Sequence, residues 1–282
     1  MSRFFSSKFA GLTPYVPGEQ PRDKTYIKLN TNESPFPPSP KAQQYAAEAA
    51  QGLQLYSDPT CAALITAAAK RLGIAEDEIL FFNGSDEALN FAFMAFCDES
   101  HPVVFPDLTY GFYSVFADLY RIPCTKIPLK EDFSLNVEDY LGLNKTIFIA
   151  NPNAPTGLAL SLSQIETIVK SNPDNVVVID EAYVDFGAES ASSLVGKYEN
   201  LLVVMTYSKS RSMAGARLGF ALASRPIIED LEKIKYSTNP YNVNRLTLKL
   251  GEAAVDSDAY FRENARKIMD TRAWTADALK EL

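Results

Sequence analysis

The sequence predicts an α/β fold, a mostly parallel sheet with helices on both faces, and three observations carry that prediction. Residues 175–180 (NVVVID) and 201–205 (LLVVM) are apolar runs of strand length, the pattern of strands buried on both faces. Strand-like and helix-like segments alternate from residue 79 to 223, as parallel strands joined by helical crossovers require. A length of 282 residues accommodates one large domain and a smaller one.

Composition narrows the classes of function. With 46% hydrophobic and 22% charged residues the chain buries a core and is not a disordered one. Its 27 basic and 35 acidic residues leave a net charge of -8, which argues against nucleic acid or an anionic membrane as a main partner. No run approaches the roughly 18 apolar residues of a membrane span, and the N-terminal segment lacks a signal-peptide core, so a cytoplasmic location is expected. Cys61, Cys97 and Cys124 are odd in number and lack metal-ligand spacing, which predicts buried reduced thiols and no metal centre. His101 is the only histidine and sits in a polar turn, so lysine has to carry the acid–base work.

Residues 1–40 hold seven of the 17 prolines and read as an extended arm. It is either a strap over the surface or a segment that turns Tyr15, Asn32 and Glu33 toward a substrate pocket. The Ala-rich stretch 41–53 predicts a helix, and Tyr56 in the turn after it either caps a core or reaches a neighbouring subunit. A second helix over 61–71 ends near Gly73, and a strand over 78–82 follows. Asn83-Gly84-Ser85-Asp86-Glu87 then turns into a thoroughly apolar helix, 88–97. Its N-terminus attracts an anion, unless Ser85 or Asp86 caps it internally.

The strand over 102–105 leads to Tyr110, at a strand exit where a planar ligand has a ring to stack on, and to an aromatic helix, 112–120. Phe112, Tyr113 and Phe116 of that helix read as core. Strands over 124–129 and 145–150, the Asn- and Pro-rich turn 151–157 and a helix over 161–170 lead into the 175–180 strand. Beyond the sheet, Ile227, Ile228, Leu231 and Ile234 repeat at helical spacing, and helices from about residue 244 and beyond Tyr260 follow.

The chemistry gathers where the 201–205 strand ends. Lys209 leaves its carboxyl end and Asp180 ends the strand expected beside it, the edge at which open α/β sheets build their sites. Residues 213–219 are too rich in Gly and Ala for a loose polar loop, so Ser208 and Arg217 converge there with little freedom. A buried carboxylate, a lysine and an arginine at one edge are costly to desolvate unless each is paired. Pyridoxal 5'-phosphate pairs with all three, its aldehyde with the amine, its ring nitrogen with the carboxylate, and its phosphate with the guanidinium and a serine hydroxyl.

The ordered set LNTNESP, GSDE, NPNAPTG, VVVIDEAY and TYSKSRSMAGARLGF resembles the pyridoxal-phosphate aminotransferases of fold type I over essentially the whole chain. PYVPGE and NPYNVN make it most similar to the histidinol-phosphate aminotransferases. The resemblance implies that Lys209 carries the cofactor and moves the proton, that Asp180 keeps the ring nitrogen protonated, and that Tyr183 bonds the ring oxygen. It further implies stacking by Tyr110, phosphate contacts from Ser85, Asp86, Glu87, Ser208 and Arg217, and a Tyr56 lent to the partner's phosphate in a homodimer. Tyr15, Asn32 and Asn242 are the implied substrate contacts.

Two departures from the family pattern bear on these expectations. Ala154 stands where an asparagine is common, leaving Asn153 as the candidate at the ring oxygen. Relatives also continue for several dozen residues past the helix that follows Tyr260, so the resemblance implies an incomplete small α+β domain without the C-terminal arginine for substrate. The expected organisation is an arm (1–40) contributing to the small domain and substrate pocket, a large cofactor-binding domain (41–245), and a linking helix with the start of the small domain (246–282). The expected reaction exchanges the amino group of L-histidinol phosphate with 2-oxoglutarate. An aromatic-amino-acid aminotransferase or threonine-phosphate decarboxylase of the same fold, or a non-catalytic cofactor-binding remnant, is the alternative.

Overall fold

The computed structural model describes residues 2–9, 11–16, 18–19, 23–24 and 26–282; Pro17 and Pro21 of the arm lie outside them. Seven strands, β1 (Ile79–Phe82), β2 (Val103–Pro106), β3 (Cys124–Ile127), β4 (Thr146–Ala150), β5 (Val177–Asp180), β6 (Leu201–Thr206) and β7 (Gly219–Ala223), form one sheet in the order β1-β7-β6-β5-β4-β2-β3. The helices are α1 (Pro40–Ala49), α2 (Ala62–Leu72), α3 (Ser85–Phe96), α4 (Phe112–Tyr120), α5 (Leu162–Ser171), α6 (Arg225–Thr238), α7 (Arg245–Asp256) and α8 (Asp258–Leu279). β2 to β6 pair in parallel, while β7 runs antiparallel to both β6 and β1. Only residues 207–218 join β6 to β7, with no helix long enough to cross back over the sheet, so the chain returns antiparallel.

The period of two along each strand divides the core between the faces. Ile147, Ile149, Val177, Ile179, Leu201 and Val203 pack on one side, and Phe148, Val178, Leu202 and Val204 on the other. Helix α3 is covered on the second face, where Leu89, Phe91 and Phe93 are buried, and α6 buries Ile227, Ile228 and Leu231 beside it. Ser161 and Gln164 form a reciprocal capping box that starts α5, and the Ser39 hydroxyl accepts from the Ala42 N–H to start α1, with Pro40 at its first position. Cys61 and Cys97 are buried as expected, but Cys124 is exposed on the edge strand β3, which, unlike the other edge strand β1, is not covered along its length. Most of α8 beyond residue 269 is exposed, Trp274 and Leu279 included.

Two contacts anchor α3 to the sheet edge. Gly84 precedes the helix at φ +82°, and Gly219 opens β7 so close beneath it that a Cβ there would lie 2.5 Å from the Ser85 nitrogen and 2.7 Å from the Gly84 carbonyl carbon. Both neighbours are backbone and cannot swing aside. Gly219→Ala is therefore expected to cost about 1–3 kcal/mol through overpacking. Urea unfolding checks this, with Ala221, a residue of the same strand, changed to Gly as a comparison that leaves the α3 approach open.

Candidate active site

The carboxyl ends of β4, β5 and β6 lie side by side, Ala150 opposite Asp180 and Asp180 opposite Val204. The ladder continues one step past them, with Asn151 N–H donating to the Asp180 carbonyl and Glu181 N–H to the Val204 carbonyl, both at 2.8 Å. The loop after β6 is then folded tightly on itself. Tyr207 N–H meets the Leu218 carbonyl (2.9 Å), Met213 N–H meets the Tyr207 carbonyl (3.0 Å), and Ser212 and Arg217 adopt left-handed backbone at φ +58° and +57°. This returns Arg217 to the edge from which Lys209 departs.

A cavity of about 330 Å³ opens at this edge. Nine of the residues expected at the site line it: Glu33, Ser85, Asp86, Tyr110, Asp180, Tyr183, Ser208, Lys209 and Arg217. The Lys209 amine donates to the Thr31 carbonyl at 3.1 Å and lies 5.5 Å from the Tyr183 ring centroid. Asp86 joins two of the others, accepting from the Tyr110 hydroxyl at 2.7 Å and from Arg217 Nη2 at 3.2 Å. A second cavity, about 630 Å³, lies by α2, α8 and residues 184–192 and holds none of the expected site residues. Three of its four arginines, Arg71, Arg211 and Arg262, bond Asp258.

The remaining expected residues lie outside the cavity lining. Glu87 turns its carboxylate away, accepting from the Asn83 N–H (2.7 Å) and from the Asn242 amide (2.5 Å), so these two brace the start of α3. Asn153 bonds the Thr109 hydroxyl and the Leu108 carbonyl, and it is Ala154 that lines the cavity. Asn32 reaches the site through its amide, which donates to the Tyr183 hydroxyl at 3.0 Å. Tyr15 is exposed with its ring on Phe112, 4.5 Å between centroids, and Tyr56 is 80% exposed and stacked on Tyr241. The alternative, internal capping of α3 by Ser85 or Asp86, is not made: Gly84 is the N-cap, without a side-chain bond, so first-turn N–H groups are left for another acceptor.

Three contributors were absent from the sequence reading. Thr31 supplies a backbone carbonyl, which no residue type signals. Tyr113, read only as core, donates its hydroxyl to Asp180 Oδ2 at 2.9 Å. The one clue to it was a polar-tipped aromatic three positions beyond Tyr110, whose carbonyl accepts the Tyr113 N–H at 3.2 Å across the turn into α4. Thr206 lines the cavity and its hydroxyl receives the Ser208 N–H at 3.1 Å.

Electrostatics single out the carboxylates at the strand exit. Burial drives the Asp180 carboxyl up to about 6, opposed by the Tyr113 hydroxyl and the Ala182 N–H. Burial likewise raises Glu181 to about 7, against donors from Ser190 and Ala191. The residues fit pyridoxal 5'-phosphate on several counts. The cavity is at the small end of ligand-site volumes, it brings an amine, a buried carboxylate and a guanidinium together, and a Cβ at Gly84 would fill the space beside Arg217 Nη2 (2.5 Å). Among the described residues the Thr31 hydroxyl on its wall is buried without a geometric hydrogen-bond partner.

The family model for aminotransferase class I and II matches residues 24–282, and the chain belongs to that family. The relatives it matches end to end narrow this further. It is 50% identical to the histidinol-phosphate aminotransferase of Brachyspira hyodysenteriae and 51% identical to that of Marinomonas sp., in each case covering 100% of this chain and 80% of the relative. The fold matches the crystal structure of histidinol-phosphate aminotransferase from Sinorhizobium meliloti in complex with pyridoxal-5'-phosphate, with a TM-score of 0.81 at 24% identity over 86% of this chain and 68% of that one. A Thermus thermophilus aspartate aminotransferase variant gives a TM-score of 0.84 at 19% identity, over 99% of this chain and 79% of that one.

A prediction follows from the Asp180 carboxyl. Its folded value of about 6 exceeds the unfolded carboxylate value, so the folded cofactor-free protein binds the proton more tightly. Stability from this group is full below about pH 4 and is lost as pH rises through about 6, a loss of about 3 kcal/mol. Asp180→Asn removes this loss, so above pH 6 the cofactor-free variant should unfold at a higher temperature than the parent, and below pH 4 the two should converge. Thermal melts across pH 4–8 measure the difference, and a constant gap at all pH values would contradict the assignment.

Proposed function

We propose that this chain exchanges the amino group of L-histidinol phosphate with 2-oxoglutarate, giving imidazole acetol phosphate and L-glutamate, with pyridoxal 5'-phosphate as cofactor. The observation that carries this reading is the meeting of Lys209, Asp180 and Arg217 in one cavity; the choice of substrate rests on the likeness to histidinol-phosphate aminotransferases along the whole chain. When bound, the cofactor supplies an aldehyde that takes the amino group and a ring that withdraws electrons from the substrate carbon.

The protein's part is to bind, orient and move protons. Lys209 Nζ is the attachment point and, once displaced, the base and acid that carries the proton. Asp180 keeps the ring nitrogen protonated. Tyr183, itself held by Asn32, donates to the ring oxygen, and Tyr110, tethered through its hydroxyl to Asp86, provides the flat surface for the ring. Arg217, Ser85, Ser208 and the first-turn N–H groups of α3 hold the phosphate. Asp86 orients Arg217 for that task.

Tyr15 and Asn32 belong to the substrate side, and Asn242 acts through Glu87 at the α3 start. Tyr56, exposed and braced by Tyr241, is suited to reach the phosphate site of a second copy in a homodimer. Residues 41–245 form the cofactor domain, the arm (1–40) contributes to the smaller domain and the substrate pocket, and 246–282 supply the linking helix and the start of the smaller domain. Among the described residues no helix is long and apolar enough to cross a membrane, and the cytoplasm is the proposed location.

Titration with pyridoxal 5'-phosphate should turn the protein yellow, and Lys209→Ala should abolish that absorbance. Arg217→Ala should weaken cofactor binding about tenfold to a hundredfold, the range for a charge-assisted hydrogen bond. Glutamate added to the yellow protein should bleach it and release 2-oxoglutarate. Histidinol phosphate should bleach it at lower concentration than phenylalanine; the reverse order would replace the substrate assignment with an aromatic amino acid.

A further inference from the structure

Tyr113 is wholly buried in α4, its ring walled by Phe105 and Phe148 at 5.6 Å and met edge-on by Tyr110 at 5.7 Å. Its hydroxyl donates to Asp180 Oδ2 at 2.9 Å. Among the described residues it is the only side chain that hydrogen-bonds this carboxylate; the other oxygen receives the Ala182 N–H at 3.2 Å, and no salt bridge reaches it. Packing alone does not demand such a partner, because Tyr140 is equally buried and, among the described residues, leaves its hydroxyl unpaired.

We propose that Tyr113 is a positioning residue for the reaction, its hydroxyl fixing the Asp180 carboxylate for the ring nitrogen of the cofactor; this rests on the functional reading above. A phenol suits the task because it donates a hydrogen bond without adding positive charge. An arginine or lysine there would satisfy the carboxylate and compete with the ring nitrogen for it. The phenol leaves that nitrogen as the cation Asp180 can gain.

Among the described residues, the titratable groups that act on Asp180 are Tyr110 and Tyr113 from the α4 side, Asp86 from α3 and its chain neighbour Glu181, while Tyr183 of its own strand exit and Lys209 and Arg217 of the loop after β6 line the same cavity. Burial and Asp86 favour its protonated form, and Tyr113 is the leading contribution on the opposite side. One turn of chain thus serves both ends of the site, since Tyr110 holds Asp86 near Arg217 while Tyr113 holds Asp180.

The test compares binding of pyridoxal 5'-phosphate with binding of its analogue in which the ring nitrogen is replaced by C–H, for wild type and Tyr113→Phe at pH 8. Wild type should prefer the natural cofactor, and Tyr113→Phe should shrink that preference about tenfold, with analogue affinity unchanged within about twofold. The acid limb of cofactor binding should also move to higher pH in Tyr113→Phe, because the carboxylate protonates more readily without its donor. In an Asp180→Asn background, Tyr113→Phe should change the preference no further. Equal loss for both ligands, no change for either, or failure of Tyr113→Phe to fold would assign the hydroxyl a packing role and overturn the proposal. A wild type without any preference for the ring nitrogen would overturn the role given to Asp180 itself, and this proposal with it.

Discussion

The structure depends on a carboxylate kept away from water. Asp180 ends β5 in the interior of the sheet, 4% exposed, with strands on both sides and helices over both faces. Among the described residues its hydrogen-bond partners are a phenol and one backbone N–H, and neither is a cation. A buried charge without a counter-ion costs several kcal/mol, a large fraction of what holds a domain folded. The carboxyl accordingly retains its proton further up the pH scale. A ligand that brings a protonated nitrogen to this point relieves the cost, so the same burial that weakens the empty protein favours the occupied one.

The rest of the edge is arranged around that point by backbone geometry. The parallel register of β4, β5 and β6 lines up three strand exits, and the short return from β6 into antiparallel β7 brings Lys209 and Arg217 to the cavity that Asp180 lines. Gly219 lets the α3 start come down onto β7, and Gly84 leaves room for the guanidinium. The arm then closes the cavity from the other side, with the Thr31 carbonyl on Lys209 and the Asn32 amide on Tyr183. Binding at this site is thereby coupled to a segment that carries little hydrophobic burial of its own, with Ile27 and Leu29 almost fully exposed.

What the sequence made legible follows from which forces leave a pattern in it. The apolar runs of β5 and β6, the helical spacing of Ile227 to Leu231 and the alternation between them report burial on both faces, and the parallel sheet was readable from them. Hydrogen bonds made by backbone atoms leave no such pattern, so the Thr31 carbonyl was invisible. Tyr113 looked like core because it is core; only its hydroxyl belongs to the site, and which buried acceptor it meets depends on the packing of α4 against β5. Glu87 reads as a neighbour of the anion-binding turn, yet one position along a helix rotates a side chain by about 100°, enough to turn it to Asn83 and Asn242. Cys124 was misread for a related reason, since strand order decides which strand lies at the edge and a linear sequence does not display that order.

The central claim is that one particular amine, at the exit of β6, meets the cofactor aldehyde. Reduction of the loaded protein with borohydride followed by peptide mass spectrometry tests it most directly, because the reduction makes the link permanent wherever it has formed. The account predicts a single pyridoxyl-modified residue, Lys209. A modification at another lysine, or one spread over the exposed lysines with Lys209 untouched, would contradict it.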